Sequence, residues 1–255
     1  MWQDVKTLNA TANVLFGALL LLLLASGVWW LVQRPMFTLR VIKVEGVEQA
    51  ALRHVNPVTI RDAALPKLKG NFFTINLDSV RTAFEAVPWV RKASVQREWP
   101  NKLIVTLEEH VALGTWGEQG SLMSVKGDVF TANLAEAEED ADLIAFSGPE
   151  GSEKEVLARY VDLKNWFEKI HLAPEGVWYS NRYAWSVKLN NGLRVELGRV
   201  QDDQTLQRRV DQLLTVYPQL VASLQNSIES VDLRYPNGLA LKSSQSQVGL
   251  KLKQK

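Results

Sequence analysis

A long uncharged apolar segment near the N-terminus constrains this chain more than any other feature. No charged residue occurs from Thr7 to Gln33, and the part from Val14 to Val32 is almost wholly apolar. About 19 helical residues, at roughly 1.5 Å each, span a hydrocarbon core of roughly 30 Å. The sequence therefore predicts a tail over residues 1–13 and a membrane-spanning helix over residues 14–33.

A cleaved signal peptide is the alternative interpretation of this segment, with Ala25-Ser26-Gly27 as a small-residue cleavage site. The apolar run continues past that site to Trp29 and Trp30, whose indoles suit the headgroup region at the end of an uncleaved anchor. The positive-inside count does not favour a cytoplasmic N-terminus, because Lys6 is offset by Asp4 and basic residues follow the helix. Large domains are translocated largely regardless of charge, so we expect the C-terminal part to be extracytoplasmic.

Composition excludes several classes of function. The 255 residues carry a net charge of +1, so the chain lacks the basic excess that nucleic-acid binding uses. The chain has no cysteine, which excludes disulfides, thiolate nucleophiles and cysteine-bound metals. Its three histidines, His54, His110 and His171, lie in separate segments.

Beyond the helix, hydrophobic patterning predicts two domains of an α+β protein. Residues 37–107 have the order strand, helix, helix, strand, strand, in which the two helices cover one face of a three-stranded sheet. Residues 108–245 predict a mostly antiparallel β domain with flanking helices, and residues 246–255 a polar C-terminal tail.

Several local features accompany this division. Within the first domain we expect a strand from Phe37 with a bulge and a helix capped by Asp78. In the second domain, Tyr183 begins the inward alternation of a hairpin strand, and Pro218 interrupts a helix. Residues 133–142 predict a solvated acidic loop.

The search for catalytic or metal-binding motifs predicts no enzyme, no cofactor and no small-molecule substrate. The run Glu108-Glu109-His110 sets carboxylates beside an imidazole, but neighbouring residues of a strand point to opposite faces and do not converge. The acidic residues within 133–142 lack the spacing and the glycine of a calcium loop. Binding of other proteins is the function that remains.

One segment suggests where such binding occurs. The last predicted strand, Leu239 to Lys242, has only a polar stretch after it. Such a strand lies at a sheet edge with backbone groups open to a partner strand, or it pairs internally under the tail; the pattern alone leaves both open.

The order of short motifs along the chain resembles the FtsQ/DivIB family of bacterial cell-division proteins. The segment Phe37-x-Leu39-x-x-Ile42-x-Val44-x-Gly46 resembles the start of a POTRA domain, and Pro88-Trp89-Val90 to Trp99-Pro100 its end. Downstream, Leu197-Gly198-Arg199 and Val231-Asp232-Leu233-Arg234-Tyr235 follow in family order. The resemblance extends over essentially the whole chain.

The resemblance implies a non-enzymatic divisome scaffold that links early and late division proteins. It implies a single-pass type II protein of the inner membrane, with the N-terminus cytoplasmic and both domains periplasmic at the division septum. The POTRA domain and the transmembrane segment would contact other division proteins. The β domain would dock FtsB and FtsL, with FtsB adding a strand to its last strand.

Residues that match the family's partner-binding strand and turn are implied as the docking site, and two positions depart from the family pattern. Pro236 replaces the more usual acidic residue, and Ser243 lies where the family has an aromatic residue. The implied site residues are Arg234, Tyr235, Asn237, Gly238, Leu239, Ala240, Leu241, Lys242 and, less directly, Arg182.

Two other classes of protein are alternatives to the scaffold. A POTRA-containing translocation component would need a transmembrane barrel, and no series of alternating segments of about ten residues follows the first domain. A membrane-anchored cell-wall enzyme would need convergent carboxylates or an activated nucleophile, which no motif supplies.

Overall fold

The structure is a computed structural model that describes residues 2–49, 51–118, 120–224, 228–235, 238–243 and 247–251. It divides the chain into two compact units, Met1–Glu109 and His110–Lys255. This division lies close to the domain boundary predicted between residues 107 and 108.

The first unit begins with helix α1 (Trp2–Val32), whose apolar side chains from Val14 to Leu31 are largely exposed. Within the part of the chain that the structure describes, its span Thr7–Val32 is the one helix long and apolar enough to cross a membrane. An exposed apolar helix needs a nonpolar solvent. The N-terminal helix therefore indicates a single-pass membrane anchor.

A three-stranded sheet with two helices completes the first unit. Strand β1 (Val41–Gly46) runs parallel to β3 (Lys102–Glu109), and β3 pairs antiparallel with β2 (Val90–Glu98). Helices α2 (Pro57–Ala63) and α3 (Leu77–Glu85) connect β1 to β2. This is the order of elements predicted from the sequence, with an α+β fold.

The core of this unit comes from alternate residues of β3 and the inner faces of both helices. Leu103, Val105 and Leu107 are essentially inaccessible, as are Val80 and Phe84 of α3. Burying side chains of this size contributes about 1.5–3 kcal/mol each. One face of β3 is therefore covered by the helices.

Three local predictions in the first unit were wrong. Phe37 lies in a short 3₁₀ turn, and the β1–β3 register is continuous without a bulge. The change of hydrophobic phase arises because the chain is not yet a strand at Phe37. Helix α3 is capped by Asn76, whose Oδ1 accepts from the backbone N–H groups of Asp78 and Ser79, so Asp78 lies inside the helix.

In the residues that the structure describes, the second unit is built on one mixed sheet of ten strands. Six of its nine strand pairings are antiparallel, as the sequence predicted for most of this domain. The strand order is β13-β12-β11-β10-β9-β8-β7-β4-β5-β6. The strands are β4 (Ala112–Trp116), β5 (Ser121–Ser124), β6 (Val129–Phe130), β7 (Ile144–Ser147), β8 (Pro174–Tyr179), β9 (Ala184–Leu189), β10 (Arg194–Arg199), β11 (Ile228–Asp232), β12 (Gly238–Ser243) and β13 (Gln247–Lys251).

Three helices accompany this sheet: α4 (Leu134–Asp140), α5 (Glu153–Phe167) and α6 (Thr205–Leu224). The segment predicted as an acidic loop is therefore α4; Asn133 caps it and Ala137 is fully buried. The helix predicted to break at Pro218 continues through it. Burial of Leu213 and Leu220 on either side of the proline offsets a cost of about 3 kcal/mol.

The C-terminal end of the chain also differs from the prediction. Residues 247–251, expected within a polar tail, form β13, which pairs antiparallel with β12 from Gly238↔Lys251 to Lys242↔Gln247. An unpaired strand edge exposes backbone donors and acceptors, and an adjoining strand satisfies them. That gain, together with the alternating Val248 and Leu250 of the segment, explains why it becomes a strand here.

Candidate partner-binding site

The predicted docking residues begin where β11 ends. Leu233 turns inward and is buried, and its backbone N–H donates to the carbonyl of Glu196 on β10. Asp232 and Arg234 face the other way and meet each other. The Nε of Arg234 lies 2.9 Å from Oδ1 of Asp232, and its Nη2 lies 2.6 Å from Oδ2.

This two-pronged ion pair changes the protonation of both side chains. Hydrogen bonding by Asp232 raises the pKa of Arg234. Burial of the Asp232 carboxyl acts to raise its pKa, but hydrogen bonds from Arg234 and the charges of Arg234 and Arg209 outweigh it. The net effect is that the pKa of Asp232 is lowered. The guanidinium group of Arg234, which was predicted to pair with carboxylates of a partner, is thus already paired with Asp232.

A second arginine, Arg209 of α6, was missed by the sequence analysis. It links α6 to β10 beside the Asp232–Arg234 pair. The Nη1 of Arg209 donates to the carbonyl oxygens of Leu197, which lies within a register shift of β10, and of Arg199, just beyond that shift. Gly198 lies in that shift with φ +74°, and a Cβ there would come within 2.8 Å of Cγ of Arg234. The Leu197-Gly198-Arg199 motif therefore marks a bulge that only glycine fits closely.

The sheet register brings Arg182 to the same end of the sheet as Tyr235. Ala184, at the start of β9, pairs with Arg199 at the end of β10, and Glu196 of β10 pairs with Asp232 of β11. Arg182 lies in the turn just before β9, and Tyr235 just after β11. Since β9 and β11 are separated by two strand spacings, about 10 Å, both side chains can contact one partner.

Tyr183 was predicted as an inward strand residue, and the structure shows that this was wrong. It lies in the turn with φ +60°, its side chain is 66% exposed, and inward alternation begins only at Trp185. Tyr235 is similarly exposed, at 55%. We call the group formed by these exposed residues the sheet-end surface: Arg182, Tyr183, Arg199, Arg234 and Tyr235.

The side chains of β12 serve mainly the core. Leu239 and Leu241 are buried, Gly238 is the buried first residue of the strand, and Ala240 is half-buried. Lys242 is exposed and pairs with Glu229 of β11 at 3.6 Å. Asn237 lies outside the described residues. What β12 can offer a partner is thus its backbone.

That backbone is paired on both sides, so of the two possibilities that the sequence left open, the structure has the internally paired strand and not the edge strand. Strand β11 covers one edge, and β13 covers the other over five residue pairs. The terminal strand of the sheet at this end is β13. Because the segment after β12 has its own strand-forming residues, it returns to pair with β12.

The two carboxylates beside His110 are both bound by other groups of the first unit. Glu109 accepts the backbone N–H groups of Arg53, His54 and Val55 at 2.7–3.0 Å, whereas Glu108 pairs with Arg91. Among the residues that the structure describes, no group of three or more His, Asp or Glu side chains could hold a metal ion.

Together, the apolar anchor, the β-α-α-β-β unit and the following sheet unit define a membrane-anchored protein with a POTRA domain and a second, mostly β domain. Residues 37–110 match the family model of the POTRA domain, FtsQ-type. Residues 114–234 match that of the cell division protein FtsQ/DivIB, C-terminal, which ends just before Tyr235.

Whole-chain comparisons agree with these matches. The chain is 51% identical over 244 residues to the cell division protein FtsQ of Burkholderia pseudomallei (strain K96243), covering 96% of this chain and 95% of that one. It is 38% identical to FtsQ of Bordetella pertussis (strain Tohama I) over 94% and 92%, and 33% identical to FtsQ of Nitrosospira multiformis (strain ATCC 25196) over 96% and 100%. The chain belongs to the FtsQ/DivIB family of cell-division proteins.

Proposed function

We propose that this chain is a non-enzymatic scaffold of the divisome. In this proposal α1 lies in the inner membrane, the N-terminus is cytoplasmic, and both folded units are periplasmic at the division septum. The sheet unit docks the FtsB–FtsL complex, while the POTRA domain and α1 contact other division proteins. Membership of the family and the single apolar helix support this assignment.

The sheet-end surface is the observation that carries the docking proposal. It places two exposed tyrosines and the exposed side chains of Arg182 and Arg199 at one end of the neighbouring strands β9, β10 and β11. Tyrosine offers a large, rigid contact area, and arginine pairs with carboxylates through two parallel hydrogen bonds. Such a surface suits a partner segment with apolar and acidic residues.

Arg234 takes a different part in this proposal from the one implied by the family resemblance. Its fork is bound to Asp232, and its own backbone N–H donates to the same carboxylate at 3.0 Å. These contacts fix the direction of the chain immediately before Tyr235. We therefore assign Arg234 to positioning Tyr235, with its exposed guanidinium edge facing the partner.

Strand addition at β12 requires that β13 leave its place. A partner strand and β13 would use the same backbone groups of β12, from Gly238 to Lys242. In our proposal the FtsB strand replaces β13 on β12, so that FtsB binding competes with an internal strand. The alternative is that the partner strand adds to the outer edge of β13.

The first test is a titration of the full chain, in detergent micelles, with a periplasmic FtsB peptide. We expect Tyr235→Ala to weaken binding about 30-fold, or about 2 kcal/mol, as for an interface hot spot. Val129→Ala is the control, because Val129 is exposed on β6 at the other end of the strand order. Equal binding by wild type and Tyr235→Ala would remove the sheet-end surface as the docking site.

Removing residues 244–255 distinguishes the two modes of strand addition. If FtsB replaces β13, the shortened chain binds more tightly, because no internal strand has to be displaced first. If FtsB adds to β13, the shortened chain loses binding. Wild-type binding that is unchanged by the truncation would contradict strand addition at this end of the sheet.

A further inference from the structure

The POTRA domain is joined to the membrane helix by a direct contact as well as by the chain. Nδ2 of Asn71, in the loop between α2 and α3, donates to the backbone carbonyl of Val32 at 3.0 Å. Val32 is the last residue of α1, where helix carbonyls have no partner within the helix. The loop around Asn71 therefore lies at the level where α1 leaves the membrane.

This loop is held in a defined shape at that level. Oδ1 of Asn71 accepts from the backbone N–H groups of Phe73 and Thr74, both at 3.0 Å. Gly70, the residue before Asn71, has φ +117°, and a Cβ at this position would lie 3.1 Å from the backbone nitrogen of Ile75. The backbone N–H of Phe72 donates to the carbonyl of Phe37 at 2.9 Å. The loop is thus tied to both the helix end and the first residues of the domain.

Apolar side chains are exposed on this same end of the domain. Phe73 is 47% exposed although its ring packs edge-on against Phe37, with centroids 4.9 Å apart. Met36 is 55% exposed in the 3₁₀ turn that follows α1. Trp99 is 70% exposed and lies in the turn of the β2–β3 hairpin. Because Val41 pairs with Lys102, this turn lies next to the start of β1. A folded unit gains nothing by presenting these groups to water.

The charges on the two segments that meet the helix end are all positive. From Gln33 to Ile42 the sequence has Arg34 and Arg40 but no acidic residue, and from Ala63 to Leu77 it has only Lys67 and Lys69 as charged residues. Lys67 and Lys69 are exposed, and Lys69 is two residues from Asn71, so it lies within about 7 Å of the anchored position along the chain. The guanidinium of Arg34 lies 3.4 Å from the ring centre of Trp30.

The length of α1 allows its last turn to reach the bilayer surface. Its apolar span Thr7–Val32 is 26 residues long, about 39 Å, which exceeds a hydrocarbon core of about 30 Å. A helix of this length can place its last turn, with Trp29 and Trp30, among the headgroups, where indoles are enriched. The segments that contact or follow this end of α1 carry Phe73, Met36 and Lys69, so the same placement brings an exposed aromatic ring and a lysine close to the bilayer surface.

From these observations we propose that the membrane-proximal end of the POTRA domain rests on the bilayer that α1 spans. Phe73 and Met36 enter the headgroup layer, and Lys67 and Lys69 bind the phosphates of anionic lipids. Apolar groups bordered by lysines are a typical interfacial arrangement, in which each basic residue contributes attraction to an anionic surface. This contact would hold the domain in one orientation to the membrane plane.

The absence of cysteine from the chain allows a direct test by single-cysteine labelling. The full chain carrying Phe73→Cys or Val58→Cys is labelled with the fluorophore NBD and reconstituted into phosphatidylglycerol–phosphatidylcholine vesicles. Val58 is the matched control: it is 56% exposed, and it lies in α2 near the opposite end of the sheet, where Val55 binds Glu109. Quenching by doxyl groups attached near the lipid headgroup reports membrane contact.

We expect strong quenching and blue-shifted emission from the label at position 73, and neither from the label at position 58. Water-like, unquenched emission at position 73 would overturn the proposal. Reversing both charges, Lys67→Glu with Lys69→Glu, should reduce quenching at position 73 at least threefold in the anionic vesicles and not in pure phosphatidylcholine. The control reversal is Arg61→Glu with Lys92→Glu. Equal effects of the two reversals would overturn the role assigned to the lysines.

Discussion

Both units use a carboxylate to hold an irregular segment in place, but they do so over very different distances along the chain. In the POTRA unit, Glu109 at the end of β3 accepts three backbone N–H groups more than fifty positions away, at residues 53–55. In the sheet unit, Asp232 holds Arg234, two residues further on. The Glu109 contacts hold together segments of one domain that are distant in the sequence. The Asp232–Arg234 contact fixes the local course of the chain at the sheet-end surface. Disruption should therefore destabilise the first unit and mainly alter the site in the second.

The largest effect is expected from Glu109→Gln. The amide oxygen can still accept from His54 and Val55, but the NH₂ group then faces the backbone N–H of Arg53, and all three donors lose the charged acceptor. We expect local stability to fall by about 2–3 kcal/mol, because hydrogen bonds to charged groups are among the stronger ones. Native-state hydrogen exchange of residues 51–60, read by mass spectrometry on the full chain, should show correspondingly faster opening.

Glu108→Gln is the matched control for this measurement. Glu108 is the neighbouring carboxylate, and its pair with Arg91 at 3.2 Å leaves both side chains more than a quarter exposed. Exposed ion pairs contribute below about 1 kcal/mol, so exchange in residues 51–60 should change little. If the two variants had equal effects, Glu109 would not be the residue that closes the POTRA unit.

An intermediate effect is expected where helix α6 meets β10. Arg209→Met removes the donor to the carbonyls of Leu197 and Arg199 while keeping much of the side-chain volume. We expect a loss of about 1–2 kcal/mol in thermal or denaturant unfolding of the sheet unit, together with weaker FtsB-peptide binding because the bulge beside Arg234 loosens.

Arg208→Met is the control, since Arg208 is the neighbouring residue and makes only an exposed pair with Asp202 among its described ion pairs. Its removal should cost below about 1 kcal/mol and leave peptide binding unchanged. Equal weakening of binding by both variants would show that the charge of α6 matters rather than the fastening of the β10 bulge.

The contrast between the units also explains what sequence reasoning could predict. The POTRA order was predictable because local signals such as glycine, proline and alternating apolar residues bound each of its elements. The pairing of β13 with β12 was not, because only Val248 and Leu250 mark this segment as a strand, and its structure depends on a neighbour's unpaired edge. Arg209 was missed for a similar reason. It occupies a polar position of an amphipathic helix, and the helical pattern does not reveal that its side chain donates hydrogen bonds to the β10 bulge.

The candidate site shows the same division. Tyr235 and Arg234 were found through the family resemblance, which relies on motif order. The resemblance does not reveal that Asp232 occupies the Arg234 fork, since that depends on side-chain geometry. Tyr183 was assigned inward because alternation was extended one residue too far, into a turn whose positive φ interrupts the strand.

The smallest effect is expected from Asp232→Asn, and pH distinguishes it. The Arg234 side chain is 60% exposed, so loss of the pair should cost below about 1 kcal/mol near neutral pH. The pKa of Asp232 is lowered in the folded state from its ordinary value of 3.8. Its contribution is therefore complete above pH 3.8 and is lost as the pH falls through the lower, folded-state pKa.

The wild type and Asp232→Asn should consequently converge in stability on acidification. Other carboxylates titrate in the same range, so the informative quantity is the difference between the two unfolding curves, measured from about pH 6 to about pH 2. Glu229→Gln, which breaks the exposed pair with Lys242, calibrates a change of one surface charge. A wild-type advantage that stayed constant down to pH 2 would mean that Asp232 stabilises the strand end by packing and not by its charge. The direction of the chain before Tyr235 would then survive acidification, and so would the shape of the sheet-end surface.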